Sequence, residues 1–496
     1  MGLLLVASIL IILICFYNFY YKRLGLPPGP TPWPILGNLP QLAQKPPGTD
    51  VFFEWRDKYG PVFTYWMGEK PVVAFADYKT LDQTFNKDGE NFSGHDFFPD
   101  FYLNLKSYTV QGISGMEGAL FKEHRSFVVK SLRNLGLSKS SVQDKVLRQI
   151  SNMFESLDEE VQAGATYHLL GGHIDFVIGN VANIFLFGHG FSKQHNDFIA
   201  LRATVNRYMA TVMTPAALLI MSHPRIFKHL PFFKGVYNQI DERIGDMLCY
   251  VDRQIQEHLV EIERNPETSD DYVSSFLREM EKREGRDGFT VSQLRGILVD
   301  LWLASQDATC STLNWGIVYS IHNQEKQQKL QAELDRVVGC DRLVTMEDKA
   351  SLPYASAYCL EIQRLANIVT QSLMHRNFKD TMVNGHKIKA GTSIMPLITL
   401  VLYDPNIFEN PLEFKPERFL DSDGSLKSCP ELIAFSAGRR ICPGEALAKA
   451  EVFLIITNLL HRYKLTPVRG EEPSLKRNFG FTVAPEPYKV ELARRF

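Results

Sequence analysis

One cysteine and one polar cluster are the residues whose types and spacing point to chemistry. Near the C-terminus the sequence reads FSAGRRICPG from Phe435 to Gly444, with Cys442 between Ile441 and Pro443-Gly444. A strongly periodic stretch, EALAKAEVFLIITNLLHRY, follows at once. A cysteine just ahead of a helix meets unpaired backbone N–H groups and the positive end of the helix dipole, both of which favour a thiolate. Gly438 and Gly444 let the backbone pass close to a flat partner. A buried structural cysteine is the alternative reading. The second stretch is LWLASQDATCST, Leu301–Thr312, where an apolar helical run suddenly carries Ser305, Gln306 and Asp307. Polar groups in a helix built for burial cost stability unless something occupies the space opposite them.

Positioning these residues falls to a mainly α body with smaller β-sheets. Helical periodicity is clear at roughly 119–135, 139–162, 172–188, 234–265, 291–322, 323–338 and 354–367, and again after Cys442. Strand-like stretches lie at 61–67, 71–75, 386–388 and 393–396, and near the C-terminus. Glu279–Gly288 reads as an exposed loop, after which Thr290 to Gln293 reads as a capping box, with Thr290 as N-cap and Gln293 reaching back. The helix that starts there runs about 30 residues, or about 45 Å, and forms a spine through the body. Leu294, Ile297, Leu298, Leu301, Ala304, Ser305, Ala308, Thr312 and Trp315 share one face.

Phe435, Gly438, Arg440, Cys442 and Gly444 fill the five fixed positions of F-x-x-G-x-R-x-C-x-G. On that motif the sequence resembles the haem-thiolate cytochromes, the cytochrome P-450 family, and looks closest to its microsomal, animal-type branch. The resemblance covers nearly the whole chain from Pro27. It implies haem b with Cys442 as axial thiolate, donating electron density that favours O–O cleavage. Glu361-Ile-Gln-Arg364 matches E-x-x-R, and FKPERF, Phe414 to Phe419, matches the later Pro-Glu-Arg-Phe. The resemblance implies a buried cluster of Glu361, Arg364 and Arg418, in which one carboxylate bridges two guanidiniums. It assigns the haem propionates to Arg440, Arg125 and His375. Phe121 stands where the family usually has Trp, and His95 where close relatives often have Arg.

On the spine the family pattern is Ala/Gly-Gly-x-Asp/Glu-Thr-Thr, against ASQDAT from Ala304 to Thr309 here. Asp307 keeps the acid, Ser305 replaces Gly, and Ala308 stands where the oxygen-activating Thr is usual. Thr309 is turned about 100° away along the helix and does not simply substitute. Ser305, three residues before Ala308 on nearly the same face, is expected with ordered water to replace the missing hydroxyl in part. The resemblance places the substrate pocket at Phe97–Val110, Ala304, Val369 and Phe481.

The 496 residues are 45% hydrophobic and 22% charged with a net charge of −2, so no global basic field favours nucleic acid. Seven scattered cysteines with no CxxC argue against a disulfide framework. From Gly2 to about Tyr21 the chain is apolar and aromatic, with nothing basic before it and Lys22-Arg23 directly after. That charge order suits an uncleaved transmembrane signal-anchor at 2–21, followed by a basic and proline-rich linker at 22–38 and a catalytic domain at 39–496. The catalytic domain is then expected on the cytosolic side of the endoplasmic reticulum membrane.

The resemblance implies a monooxygenase that hydroxylates or epoxidises a small lipophilic substrate such as a fatty acid, steroid or xenobiotic. Dioxygen and NADPH-derived electrons would arrive through a flavoprotein reductase, with a cytochrome b-type protein as an alternative donor. Lys122, Lys130, Arg133 and Lys449 form either a docking patch for that reductase or a solvated face. A haem-thiolate isomerase or dehydratase of a lipid peroxide, which needs no electrons, and a non-catalytic haem sensor are the other functions considered.

Overall fold

The computed structural model describes residues 2–44, 49–96, 105, 112–135, 140–191, 196–265 and 271–496. Its longer helices are α1 Gly2–Phe19, α2 Thr49–Tyr59, α3 Gly118–Leu135, α4 Ser140–Gln162, α5 Leu170–Phe187, α6 Asn196–Val212, α7 Pro231–Arg264, α8 Tyr272–Lys282, α9 Val291–His322, α10 Gln324–Val338, α11 Pro353–Ala366 and α12 Glu445–Arg462. The strands are β1 Val62–Met67, β2 Lys70–Phe75, β3 Gly94–His95, β4 His375–Arg376, β5 Thr381–Val383, β6 His386–Ile388, β7 Ser393–Pro396, β8 Tyr463–Pro467, β9 Arg477–Phe479, β10 Val483–Pro485 and β11 Val490–Arg494. One sheet runs in the order β1-β2-β7-β4-β3, and three two-stranded ribbons accompany it among the described residues. The molecule is thus mostly helical with small sheets.

α9 is the spine that its sequence announces. Thr290 caps it, its hydroxyl accepting from the Gln293 N–H at 3.2 Å. The Thr290 N–H also donates to the Gly288 carbonyl, at 3.0 Å. Burial departs from a single face. From Thr309 to Ile321 every residue but Asn314 is buried, so neighbours surround that half of α9. It packs against α5, α11, α12 and β10 and joins two hydrophobic clusters.

Three helices, α2, α6 and α8, lie outside the stretches where helical periodicity is clear. α8 starts at Asp271, whose carboxylate accepts from the Ser274 N–H at 2.8 Å. It continues to Lys282, so the loop expected from Glu279 begins later. An i,i+4 pair between Glu279 and Arg283 at 2.7 Å supports that last turn.

α1 carries no charged residue and leaves Ile11, Leu13 and Phe16 more than half exposed. Among the described residues, α5 passes a length and apolarity test for crossing a membrane, but 72% of it is buried inside the protein. It is a core helix, with Gly188 in the left-handed conformation ending it.

Candidate active site

Cys442 sits between a short helical turn at Gly438–Arg440 and the start of α12. Gly438 has φ +75°, and a Cβ there would lie 2.1 Å from the Phe85 carbonyl oxygen. The close approach that demands glycine is therefore to the backbone of Phe85, where a flat ligand was expected. At Gly444 a Cβ would meet only the Cys442 Sγ, at 3.9 Å, so the space on the thiol side is open. Protein surrounds the thiol, yet its side chain carries accessible surface, so it faces an internal cleft. Burial pushes its pKa up, opposed by the backbone N–H groups of Gly444 and Glu445 and by the Arg125 guanidinium. On α9, which packs against α12, Ala304 is exposed while Trp302 and Gln306 on either side are buried. Ser305 and Ala308 beside it are half-buried. Val369 is half-buried, Phe481 is 36% exposed, and of the expected pocket segment 97–110 only Leu105 lies within the described residues.

Two half-buried cations test whether this cleft fits haem. Arg440 stacks with its guanidinium carbon 3.6 Å from the Phe121 ring centroid and donates to the Ser93 carbonyl at 2.8 Å. Arg125 donates to the Ile441 carbonyl. Among the described residues neither has a carboxylate within ion-pair distance. Burial lowers the pKa of both, that of Arg440 to about 10, with Glu117 resisting and Arg125 adding to the fall. A thiol flanked by two guanidiniums that lack carboxylate partners fits an iron centre carrying two carboxylates. Phe121 cannot donate, but its ring acts as a platform under Arg440.

His95 and His375 face each other across the β3–β4 pair. Burial holds His375 down to about 4, and its Nδ1–H donates to the Phe92 carbonyl at 3.0 Å. His95 is held down to about 3 by burial first and then by Arg440. Both are neutral at pH 7 and offer hydrogen bonds without charge. Phe435, which leads the motif, lies half-buried with its carbonyl accepting from the Cys442 N–H at 3.0 Å.

Glu361, Arg364 and Arg418 come together. Arg364 forms a fork on Glu361 at 2.8 and 2.9 Å, and Arg418 Nε donates to the same carboxylate at 3.1 Å. The Lys415 N–H is a fourth donor at 2.9 Å. Glu361 and Arg364 are 0% exposed.

The four residues read as catalytic on α9 share one helical turn, but their bonds diverge. The Ser305 hydroxyl donates to the Trp302 carbonyl at 3.1 Å. Asp307 accepts from the Thr482 hydroxyl and lies 3.6 Å from an Arg202 nitrogen of α6. Arg202 in turn forks onto Asp175 of α5 at 3.1 and 3.2 Å. Ala308 contributes only its carbonyl, which accepts from Thr312 at 3.0 Å. Thr309 donates to Glu451 of α12 at 3.3 Å.

Glu451, Arg202 and Thr482 are partners the residue pattern did not single out. Glu451 carried a signal: it is the lone acid in AEVFLIIT, an apolar helical run. Arg202 and Thr482 carried none. Burial pushes the Glu451 pKa up to about 8, with only Thr309 resisting. An unfolded glutamate releases its proton near 4.5, whereas here the fold retains it. The stability this gives is therefore fully present below pH 4.5 and lost as pH rises toward 8. Glu451→Gln is expected to flatten that slope and to raise stability at pH 8 by on the order of a few kcal/mol. Thermal unfolding across this range checks it, and parallel profiles for the two proteins would refute a neutral Glu451.

Comparison with known proteins agrees with this geometry. The sequence profile of the family described as Cytochrome P450 matches residues 27–492. The chain is 32% identical to human cytochrome P450 2C8 over 457 residues, covering 90% of this chain and 89% of the relative. It is 31% identical over 470 residues to cytochrome P450 2M1 of Oncorhynchus mykiss, covering 94% and 92%. Against cytochrome P450 2C3 of Oryctolagus cuniculus it is 31% identical over 498 residues, covering 99% of each. A cysteine thiol facing an enclosed cleft, two half-buried guanidiniums and this likeness along nearly the whole chain lead to one conclusion: the chain belongs to the cytochrome P450 family, is of the animal microsomal type, and is a haem-thiolate monooxygenase.

Proposed function

We infer that the protein is a membrane-anchored monooxygenase that hydroxylates or epoxidises a small lipophilic substrate, using electrons passed from NADPH by a flavoprotein reductase. The observation that carries this reading is the accessible Cys442 thiol just ahead of α12, the helix that packs against α9. Segment 2–21 is the anchor, 22–38 the linker and 39–496 the catalytic body, facing the cytosol at the endoplasmic reticulum. The exposed apolar side chains of α1 and Lys22-Arg23 after them support that arrangement. Lys130 and Arg133 are exposed on α3, while Lys122 pairs with Glu90 at 2.8 Å and Lys449 with Glu445 at 2.6 Å. Exposed pairs of this kind are worth at most about 1 kcal/mol and can exchange for an acidic reductase surface.

Bound haem would supply dioxygen activation and insertion of one oxygen atom into the substrate. Cys442 Sγ would hold the iron and lend it negative charge, while Arg440 and Arg125 bind the carboxylates and His375 and His95 add neutral hydrogen bonds. Ala304, Val369 and Phe481 orient an apolar substrate and exclude water. Asp307 is held in place by Arg202 and Thr482. With Ala308 carrying no hydroxyl, proton positioning there falls to Ser305 with water and to Thr309, which is tied to the Glu451 acid.

Coupling measurements test that assignment. Ala308→Thr is expected to lower the peroxide released per reducing equivalent several-fold, and Ser305→Gly to raise it. If neither changes the ratio, Ser305 has no such role. The reaction class is tested by supplying reductase, NADPH and a fatty-acid panel, then lipid hydroperoxides without NADPH. Turnover with NADPH alone is expected. Turnover with peroxide alone would assign an isomerase or dehydratase, and neither, despite a thiolate-type carbonyl spectrum, a sensor.

A further inference from the structure

We propose that Glu117 is a positioning residue for haem: it fixes the frame through which Arg440 meets the haem carboxylates. This rests on the assignment of Arg440 to those carboxylates, made above. Glu117 belongs to none of the sequence motifs. It stands directly before α3, with its side chain 24% exposed.

Three donors converge on its carboxylate. β3 lies at the edge of the main sheet, and the His95 N–H on its outer side donates to Glu117 at 2.6 Å. Arg376 of β4 closes a fork on both oxygens, one arm at 3.0 Å. A lone exposed ion pair contributes little. A bidentate fork with a third, backbone donor holds a carboxylate in one place. Gly94 makes room for the fork: a Cβ there would lie 2.5 Å from the Arg376 Cγ and 2.7 Å from its carbonyl oxygen.

The main chain beside Glu117 carries the groups assigned to haem. Its own carbonyl accepts from the Phe121 N–H at 3.4 Å, which opens the helix bearing Phe121 and Arg125. The carbonyl before it, that of Met116, accepts from Arg440 Nη2 at 2.5 Å. Arg440 Nε donates to the Ser93 carbonyl at 2.8 Å, two residues before His95, and Nη1 reaches the Ser114 carbonyl at 3.5 Å. Three of the five guanidinium N–H groups are thus spent on carbonyls, and those bonds set where the other two point. Glu117 joins the segments that supply these carbonyls, one leading into α3 and the other into β3. Release of its carboxylate lets the two segments separate, and Arg440 loses its frame.

Charge acts in the same direction. Arg376 adjoins His375 in β4, and its pairing with Glu117 keeps that guanidinium engaged at the sheet edge. The haem carboxylates are then left to Arg440 and Arg125. A second ion pair on this edge, Lys70–Asp96 at 2.8 Å, ties β2 to the residue after β3 and supplies a control.

The test uses the full-length, haem-loaded enzyme. Transfer of haem to excess apomyoglobin gives its rate of loss, and the resonance Raman bands of the haem carboxylates report how they are bonded. Glu117→Gln, whose neutral amide cannot complete the fork, is expected to speed loss by about tenfold and to shift the bands, as for removal of a hydrogen bond to a charged group. Arg376→Gln should do the same more weakly, since the His95 N–H still holds Glu117. Lys70→Gln should change neither. Unchanged bands in Glu117→Gln, or equal effects from Lys70→Gln, overturn the role of Glu117. Should Glu117→Gln yield no holoenzyme, Arg376→Gln decides, and a rate and bands equal to the parent's overturn it. Arg440→Lys separates the two readings. Bands that it leaves unchanged refute the assignment of Arg440, whereas bands moved by Arg440→Lys and not by Glu117→Gln refute only the role of Glu117.

Discussion

Cys442→Ser is expected to abolish the thiolate-type carbonyl spectrum and lower turnover by more than about a hundredfold, the upper range for loss of a group that merely supports a metal ligand. The variant should still fold. Its backbone N–H would keep the 3.0 Å bond to the Phe435 carbonyl, and Gly438 would keep its contact with Phe85. Haem content and unfolding temperature, measured beside the carbonyl spectrum, separate lost ligation from lost structure. A serine variant that keeps a thiolate-type spectrum would remove Cys442 from the iron.

Glu361→Gln is expected to cause the largest loss of stability, about 3–5 kcal/mol, without touching the cleft. Its carboxylate accepts from Arg364, Arg418 and the Lys415 N–H, and it is 0% exposed, so the substitution strands two guanidiniums in the interior. Removing one partner leaves the others' desolvation uncompensated, whereas removing all the charges does not. The combined variant Glu361→Leu, Arg364→Met and Arg418→Leu should therefore recover much of the loss. Part will remain missing, because Arg364 also donates to the Leu402 carbonyl at 2.8 Å. Denaturant midpoints for the two variants check this, and a triple variant less stable than Glu361→Gln would show that the cluster is a net stabiliser.

What local sequence can encode was readable here. The FSAGRRICPG and E-x-x-R stretches are contiguous, and a short segment of fixed residues names a family without any knowledge of its surroundings. The same holds for α9, whose start is set by the Thr290 hydroxyl three residues from the N–H it caps. Ser305 shows where this stops. The sequence places its hydroxyl beside Ala308, but the hydroxyl turns back onto the Trp302 carbonyl of its own helix.

The sequence by itself determined the family, the candidate iron ligand and the long helix α9, because each rests on residues close together in the chain. Only the tertiary structure decided what the polar residues of that helix do. Asp307 is bound by a threonine 175 positions later, and Thr309 by an acid 142 positions later. Contacts across such separations leave no periodicity to read, since they arise from how α12 and the segment leading into β10 pack against α9. The low dielectric of that packing also keeps Glu451 protonated near neutral pH, which makes it an acid bonded to Thr309 in a place where composition shows only one charged residue in an apolar run.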